Sequence, residues 1–159
     1  MNDVNLDSMA GCPLFADMSA KEFEWLAGFF VAQEMAEGKT LYVENMTGES
    51  LFLIAKGAVR ISQMVAEGNE QTLVILGVGD TFGELAMIDA GVRATTARIV
   101  EDAVLYSLPR TAFEQVCSQN PRIGMQLTLN IFKAFSDRLR RAKQDYRKML
   151  LAGLERKKA

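Results

Sequence analysis

The chain has 159 residues, a net charge of −2 and 49% hydrophobic residues, which are the size and composition of one globular domain. It contains two cysteines, too few for a disulfide framework, and no histidine, which removes the commonest general base and metal ligand. Its apolar runs are far shorter than the about 20 residues that cross a bilayer, and no basic segment leads into an apolar stretch at the N-terminus. We therefore expect a cytoplasmic, non-enzymatic chain with no catalytic residues, no metal and no membrane contact.

Charge is distributed unevenly along the chain. Residues 138–159 carry nine Lys and Arg against two acids, a charge of +7, whereas residues 1–137 carry nine against eighteen, a charge of −9. A basic tail can dock on nucleic acid, on an acidic partner or on the acidic body of a second copy. We favour the simpler explanation of a solvated helix end, because an exposed helix needs charge for solubility in any case.

The first predicted element is an amphipathic helix over residues 19–31. Ser19 and Glu22 form a capping-box pattern at its start. Apolar residues then recur at the spacing of one helical face, namely Phe23, Leu26, Ala27 and Phe30.

Short strands are predicted to follow this helix. Glycines punctuate the chain at intervals close to ten residues, at Gly38, Gly48, Gly57, Gly68 and Gly77. Apolar and β-branched segments typical of strands cover residues 40–43, 51–54, 59–62, 72–76, 95–100 and 103–108, and residues 67–70 predict a hairpin turn. About seven short strands form a sandwich or a roll, so we predict a mainly β fold with flanking helices.

Two helices are predicted after Pro109. The first ends at Asn120-Pro121, and the second runs from Pro121 to about residue 152, a length of about 45 Å that a small roll cannot cover. Its apolar seam alternates spacings of four and three as a coiled coil does, through Thr128, Phe132, Phe135, Leu139, Ala142, Tyr146 and Met149. We expect a homodimer through this helix, and the alternative is that a different protein covers the seam.

Residues 79–96 carry the most informative motif. They contain the run Phe82-Gly83-Glu84-Leu85-Ala86, followed by Arg93 nine residues after Glu84. This pattern resembles the phosphate-binding cassette of cyclic nucleotide-binding domains, the family of the catabolite activator protein and of the regulatory subunits of cAMP-dependent protein kinase. The resemblance extends over about residues 13–141, because the segments 13–15, 38–42 and 51–57 look like the entry helix and early strands of that family.

The resemblance implies both a fold and a function. The implied fold is a double-stranded β-helix, a jelly-roll-like β-roll, with an N-terminal helix and a long C-terminal helix. Residues 1–120 would form the nucleotide-binding roll with its N-terminal helical segment, and residues 121–159 a lid and dimerisation helix with a basic end. The implied function is a cyclic mononucleotide sensor, with cAMP preferred over cGMP as ligand and no further cofactor, that signals to an unknown downstream protein through the C-terminal helix.

Two other functions stay open beside this sensor. One is the effector-binding part of a Crp-like transcription regulator, which would act on DNA directly or through a partner. Family transcription factors continue into a helix-turn-helix domain, whereas this sequence ends at Ala159, so we expect a stand-alone sensor or an excised module. The other is a hydrolase or isomerase on a small roll, which the absence of histidine and of a nucleophile–base pair disfavours.

The chemistry of a cyclic phosphate agrees with these residue types. One negative charge on two free oxygens can pair with both arms of the Arg93 guanidinium. Gly83 allows close backbone approach, and the N–H groups of the turn at residues 84–87 can share the anion. Glu84 can accept a hydrogen bond from the ribose 2′-hydroxyl. We further expect Glu84 and Arg93 to pair with each other across an empty pocket.

The expected ligand-binding residues come from the cassette and from the long helix. They are Phe82, Gly83, Glu84, Leu85, Ala86, Arg93, Ala94, Thr95 and Thr128. Ala94 stands where the family often has Ala in cAMP binders and Thr or Ser in cGMP binders. Thr128 and Asn130 are candidates for touching the purine and Phe132 for an apolar lid, although each also fits a plain seam or surface residue. Leu85 and Met87 are expected to pack beneath the cassette.

Overall fold

A six-stranded antiparallel sheet forms the roll, as a computed structural model that describes residues 6–88 and 91–156 shows. The strands are β1 (Val31–Met35), β2 (Thr40–Tyr42), β3 (Ser50–Ala66), β4 (Asn69–Leu76), β5 (Thr81–Phe82) and β6 (Thr96–Pro109). The α-helices are α1 (Ala20–Ala27), α2 (Leu85–Ile88), α3 (Arg110–Gln119) and α4 (Pro121–Arg156), and two 3-10 helices, Asp7–Met9 and Pro13–Phe15, precede α1. The predicted β-roll with an N-terminal helix and a long C-terminal helix is confirmed.

Two long strands run through the whole sheet. The sheet order is β1-β6-β3-β4, with β2 also paired to β6 and β5 to β3. The four short strands predicted at residues 51–54, 59–62, 95–100 and 103–108 are therefore two continuous strands, β3 and β6, of 17 and 14 residues. The prediction of separate strands was wrong. In β3, a bulge inside a long strand and a turn between two short ones carry the same glycine signal at Gly57. In β6 the predicted break fell at the exposed, charged residues Glu101 and Asp102, which the strand includes.

Gly57 is the residue that bends β3. Its φ is +80°, in the left-handed region, and the register of β3 against β6 shifts on both sides of it. A Cβ at this position would lie 2.4 Å from the carbonyl oxygen of Asp102 on β6. The bend depends on the missing side chain, so Gly57 keeps the two long strands in contact where the sheet curves.

The region between α1 and β1 departs from the prediction. The capping box is confirmed, since the Glu22 carboxylate accepts from the Ser19 backbone N–H at 2.8 Å. However, α1 ends at Ala27 instead of residue 31, and Val31 begins strand β1, opposite Ser107 on β6. Helical spacing of the apolar residues continues past Ala27, so only pairing with β6, which is remote in sequence, reveals this strand.

The start of α4 is anchored in the core beside the N-terminal segment. Ile123, Leu127 and Ile131 are buried in the same cluster as the 3-10 helix residues Leu14 and Phe15. A second anchor is polar and binds the same segment. The buried Asn130 side chain donates to the carbonyl oxygens of Leu14 at 3.0 Å and of Ala16 at 2.9 Å.

The later turns of α4 leave this core. Residues 139–152 are all exposed, including the predicted seam residues Leu139, Tyr146 and Met149. The helix has 36 residues, a length of about 54 Å. None of the helices in the described ranges has an apolar stretch that could span a bilayer.

We predict that Gly57→Ala destabilises the fold by about 2–4 kcal/mol, because it forces a side chain into the left-handed region and against the backbone of β6. Chemical denaturation measures the change. Gly68→Ala is the matched control, because Gly68 has the same kind of φ, +72°, but open space around its Cβ position. Equal losses in the two variants would show that the close approach to β6 contributes nothing.

Candidate functional site

The cassette lies where β5 turns into the short helix α2. Phe82 is buried and its ring stacks on that of Phe52, with centroids 5.2 Å apart. Gly83 has φ +80° and lies so close to β3 that a Cβ would be 2.6 Å from the Ser50 carbonyl oxygen. The Glu84 carbonyl then accepts from the Met87 N–H at 3.1 Å, which closes the predicted turn.

Backbone hydrogen bonds hold Arg93 next to the loop before β3. Its N–H donates to the Met46 carbonyl at 2.7 Å, and its own carbonyl accepts from the Asn45 N–H at 2.8 Å. The side chain is 5% exposed, and its Nη1 donates to the carbonyl oxygens of Ser50 at 3.0 Å and of Gly83 at 3.3 Å. Among the described residues, the hydrogen-bond acceptors of the guanidinium are thus two neutral carbonyl groups.

Two glycines make room for this guanidinium. A Cβ on Gly48 would lie 2.3 Å from Arg93 Nε, and a Cβ on Gly83 would lie 2.7 Å from Arg93 Nη1. The two come from separate loops, one before β3 and the other after β5. Any side chain at either position would push the guanidinium away from its present place.

An aromatic ring completes the surroundings of Arg93. Its guanidinium carbon lies 4.2 Å from the ring centroid of Tyr42, a cation–π distance. Burial lowers the pKa of Arg93, and the neighbouring Glu84 carboxylate raises it in part. Burial likewise raises the pKa of Tyr42, against the opposing influence of Arg93. The ring therefore stays a neutral phenol that faces a cation.

Glu84 pairs with a residue that the sequence analysis did not select. Its Oε1 lies 3.0 Å from Nη1 of Arg138 on α4, and Nη2 of Arg138 donates to the Thr81 carbonyl. The expected Glu84–Arg93 pair was wrong, because Arg93 is turned towards the carbonyls of Ser50 and Gly83. Glu84 is 7% exposed, and its Oε2 is buried with no hydrogen-bond partner among the described residues.

These groups line a cavity of about 620 Å³ between the roll and α4. Of the expected ligand-binding residues, Phe82, Gly83, Glu84, Leu85, Arg93, Ala94 and Thr95 line it. The α4 residues along it are Ala134, Phe135, Asp137, Arg138, Leu139, Arg141, Ala142 and Asp145. The later turns of α4 therefore pass over the mouth of the cavity.

The helix residues expected at the purine are not brought to this cavity. Thr128 is exposed and its hydroxyl donates to the Gly124 carbonyl at 2.8 Å, one turn earlier in α4. Asn130 is engaged with the N-terminal segment, and Phe132 is 66% exposed. Because the first turns of α4 are anchored in the core, the part that covers the cavity begins later, with Phe135 as its large apolar residue.

Leu85 and Met87, both expected to pack beneath the cassette, differ in their burial. Met87 is buried in the core, as expected, whereas Leu85 is exposed at the edge of the cavity, so the expectation that it packs beneath the cassette was wrong. The side chain of Ala86 lies outside the described part of the structure, so its predicted role stays a prediction.

The described residues contain no group of three or more His, Cys, Asp or Glu side chains placed to hold a metal ion.

Three residues of the site were not predicted from the sequence, namely Tyr42, Gly48 and Arg138. Gly48 appeared in the sequence only as a turn glycine. Arg138 was one of nine basic residues in the tail, and nothing local distinguished it from the others.

Comparison with known proteins agrees with this geometry. The cyclic AMP receptor protein of Thermus thermophilus is 32% identical over 119 residues, which are 75% of this chain and 55% of that protein. The crystal structure of the Thermus thermophilus catabolite activator protein matches with a TM-score of 0.75 at 29% identity, over 86% of this chain and 62% of that one. The regulatory domain of Toxoplasma gondii PKA, in a co-crystal with cAMP, matches with a TM-score of 0.61 at 25% identity, over 69% and 42%.

A family model also matches the part of the chain that contains the cassette. The chain spans about half the length of the curated relatives it matches. The model of the cyclic nucleotide-binding domain matches residues 32–120, from β1 to the residue after α3, and this range includes both Glu84 and Arg93. The chain therefore belongs to the cyclic nucleotide-binding domain family.

Proposed function

We propose that the chain is a cytoplasmic sensor that binds a cyclic mononucleotide, cAMP in preference to cGMP, and signals to a partner protein through α4. The observation that carries the proposal is the burial of the Arg93 guanidinium without an ion pair among the described residues. Arg93 is 5% exposed, and its side-chain hydrogen bonds go to two carbonyl oxygens instead of a carboxylate. A buried cation without a counter-anion is unfavourable. A cyclic phosphate would supply the missing charge and meet the guanidinium with two oxygens.

Glu84 supports the sugar part of the proposal. Its Oε2 is buried in the cavity wall without a partner among the described residues. A buried carboxylate with a donor on only one of its oxygens is unfavourable, and a ribose 2′-hydroxyl that reaches this carboxylate is a donor of suitable size. The backbone N–H groups at the start of the Glu84–Met87 turn would add donors to the phosphate.

The preference for cAMP depends on the residues after Arg93. Ala94 and Thr95 line the cavity, and Ala94 has no hydroxyl to accept from a guanine amino group. Apolar residues from β4 and α4, Leu73, Val74 and Phe135, line it as well and suit a purine face. Relatives of this chain include a cyclic AMP receptor protein and a PKA regulatory domain in a co-crystal with cAMP.

The output of the sensor is proposed to pass through a homodimer of α4. Leu139, Tyr146 and Met149 recur along one stripe of the helix and are each about 60% exposed. Apolar side chains at this spacing are stabilised when a second helix covers them, and a second copy supplies an identical seam. Because the same helix passes over the cavity, a ligand that shifts α4 would change the packing of the seam.

The alternative function is the effector-binding part of a Crp-like transcription regulator. It is favoured by relatives such as the CRP-like cAMP-activated global transcriptional regulator of Mycobacterium tuberculosis, 32% identical over 68% of this chain. In that case DNA binding would be direct or through a partner. Direct contact of the basic α4 end with DNA would appear as a steep salt dependence of duplex affinity.

We predict that Arg93→Ala weakens cAMP binding by about 3–5 kcal/mol, because the phosphate charge would then be buried without a cation. Isothermal titration calorimetry with cAMP and cGMP measures the loss and the preference together. Arg110→Ala is the control, because Arg110 pairs with Glu114 one turn along α3 and does not line the cavity. An unchanged cAMP affinity in the Arg93 variant would show that the phosphate does not bind at Arg93.

We predict that Gly48→Ala weakens cAMP binding by about 1–2 kcal/mol with little loss of folding stability. Gly48 is not among the residues with positive φ, so its backbone accepts alanine, and the new Cβ displaces the end of the Arg93 side chain. Calorimetry and thermal unfolding separate the two effects. Gly11→Ala, with open space around it, is the control, and equal binding by both variants would contradict the role of Gly48.

We predict that the wild-type chain sediments as a dimer and that Tyr146→Glu converts it to a monomer, because the variant places a charge in the seam. Gln144→Glu adds the same charge at an exposed position of α4 outside the seam and should leave the dimer intact. Analytical ultracentrifugation checks both. A monomeric wild type, or a dimer that survives Tyr146→Glu, would contradict pairing through this stripe.

A further inference from the structure

The carboxylate proposed to bind the sugar is already occupied by a cation of the same chain. Arg138 reaches from α4 to Glu84 Oε1 at 3.0 Å and also donates to the Thr81 carbonyl. Both acceptors belong to the cassette, on the strand β5 and directly after it. Arg138 itself lines the cavity, so it forms part of the wall of the space that a ligand would enter.

The Glu84–Arg138 ion pair is partly buried on one side and exposed on the other, so it can stabilise the empty site and still be broken. Glu84 is nearly buried, whereas the Arg138 side chain is 30% exposed, so the arginine can return to water without leaving a buried cation behind. Glu84 has no such freedom, because burial requires that some donor reach its carboxylate. A ligand that offers a donor to Glu84 can therefore exchange with Arg138.

We propose that Arg138 is a built-in competitor for the ligand. Oε2 of Glu84 is closed to solvent in the empty site, so the ligand's 2′-hydroxyl must reach the carboxylate at Oε1, which Arg138 occupies, and displace it. The proposal rests on the function proposed above. It makes Arg138 a specificity-determining residue, because a ligand without a 2′-hydroxyl gains nothing from the exchange. Arg93 is engaged elsewhere, so the phosphate meets no such competitor.

The competition also links ligand binding to the position of α4. The Arg138 contacts join α4 to the cassette about half-way along the helix, beyond its core anchor at Asn130. Displacing Arg138 removes these contacts and releases the later turns, which carry the exposed seam. A ligand that displaces Arg138 would weaken the affinity of any partner that holds α4 against the cassette. By thermodynamic linkage, that partner would weaken the affinity of the chain for the ligand by the same factor.

The test compares Arg138→Gln with Arg140→Gln in the full chain, by calorimetry with cAMP and with 2′-deoxy-cAMP. Arg140 is the matched control, because it lies on the same helix, is exposed and contacts only Asp137 among the ion pairs of the described residues. We expect Arg138→Gln to bind cAMP about 3- to 30-fold tighter than wild type. The affinity for 2′-deoxy-cAMP should change by less than about twofold, and Arg140→Gln should match wild type with both ligands.

Other outcomes overturn the inference in distinguishable ways. Weaker cAMP binding by Arg138→Gln would make Arg138 a ligand contact, and equal binding would leave it no role at the site. An equal gain for both nucleotides would mean simple obstruction of the cavity without competition for Glu84. Binding of cAMP by neither wild type nor variant would instead overturn the proposed function itself. Thermal unfolding of each variant, with Arg138→Ala as a second substitution, confirms that the fold is intact.

Discussion

The architecture of the site depends on a buried cation, Arg93, that has no ion pair among the described residues. Arg93 is enclosed by Tyr42, Gly48 and Gly83. Its Nη1 donates to two carbonyl oxygens, and its Nε is buried without a partner among the described residues. Carbonyl dipoles and a ring face orient the guanidinium but cannot cancel its charge. The two glycines serve this one side chain, because a Cβ on either would displace it. A fold that maintains an uncompensated charge in this way is prepared for an anion.

The long helix α4 supplies the counter-ion for the second buried charge of the cavity, the Glu84 carboxylate. Glu84 is buried beside Arg93, yet its counter-ion comes from Arg138, 54 residues later in the chain. In the described part of the empty site, Arg93 is a buried cation without an ion pair, and Glu84 is a buried acid whose ion pair comes from α4. Since the first turns of α4 are fixed by Asn130, only the later turns can respond when this arrangement changes. The ligand site and the exposed seam thus share one mechanical element.

The sequence predicted the parts of this arrangement that are local. Glu84 and Arg93 lie in one short segment, and the positive φ of Gly83 follows from a glycine in a tight turn. Contacts between distant segments were not predictable. The cation–π contact of Tyr42 and the ion pair of Arg138 depend on how strands and helices pack, and Gly57 gives the same signal whether it bends a strand or ends one. Thr128 was selected by its distance from the start of α4, whereas the core anchor shifts the covering residues towards Phe135.

A crystal structure of the chain with bound cAMP tests the central claim most directly. The account predicts that the two free phosphate oxygens lie within hydrogen-bond distance of the Arg93 guanidinium, with the ribose 2′-hydroxyl on Glu84 and the purine under α4 near Phe135. A nucleotide found elsewhere on the surface, or one whose phosphate avoids Arg93 inside the cavity, would contradict it.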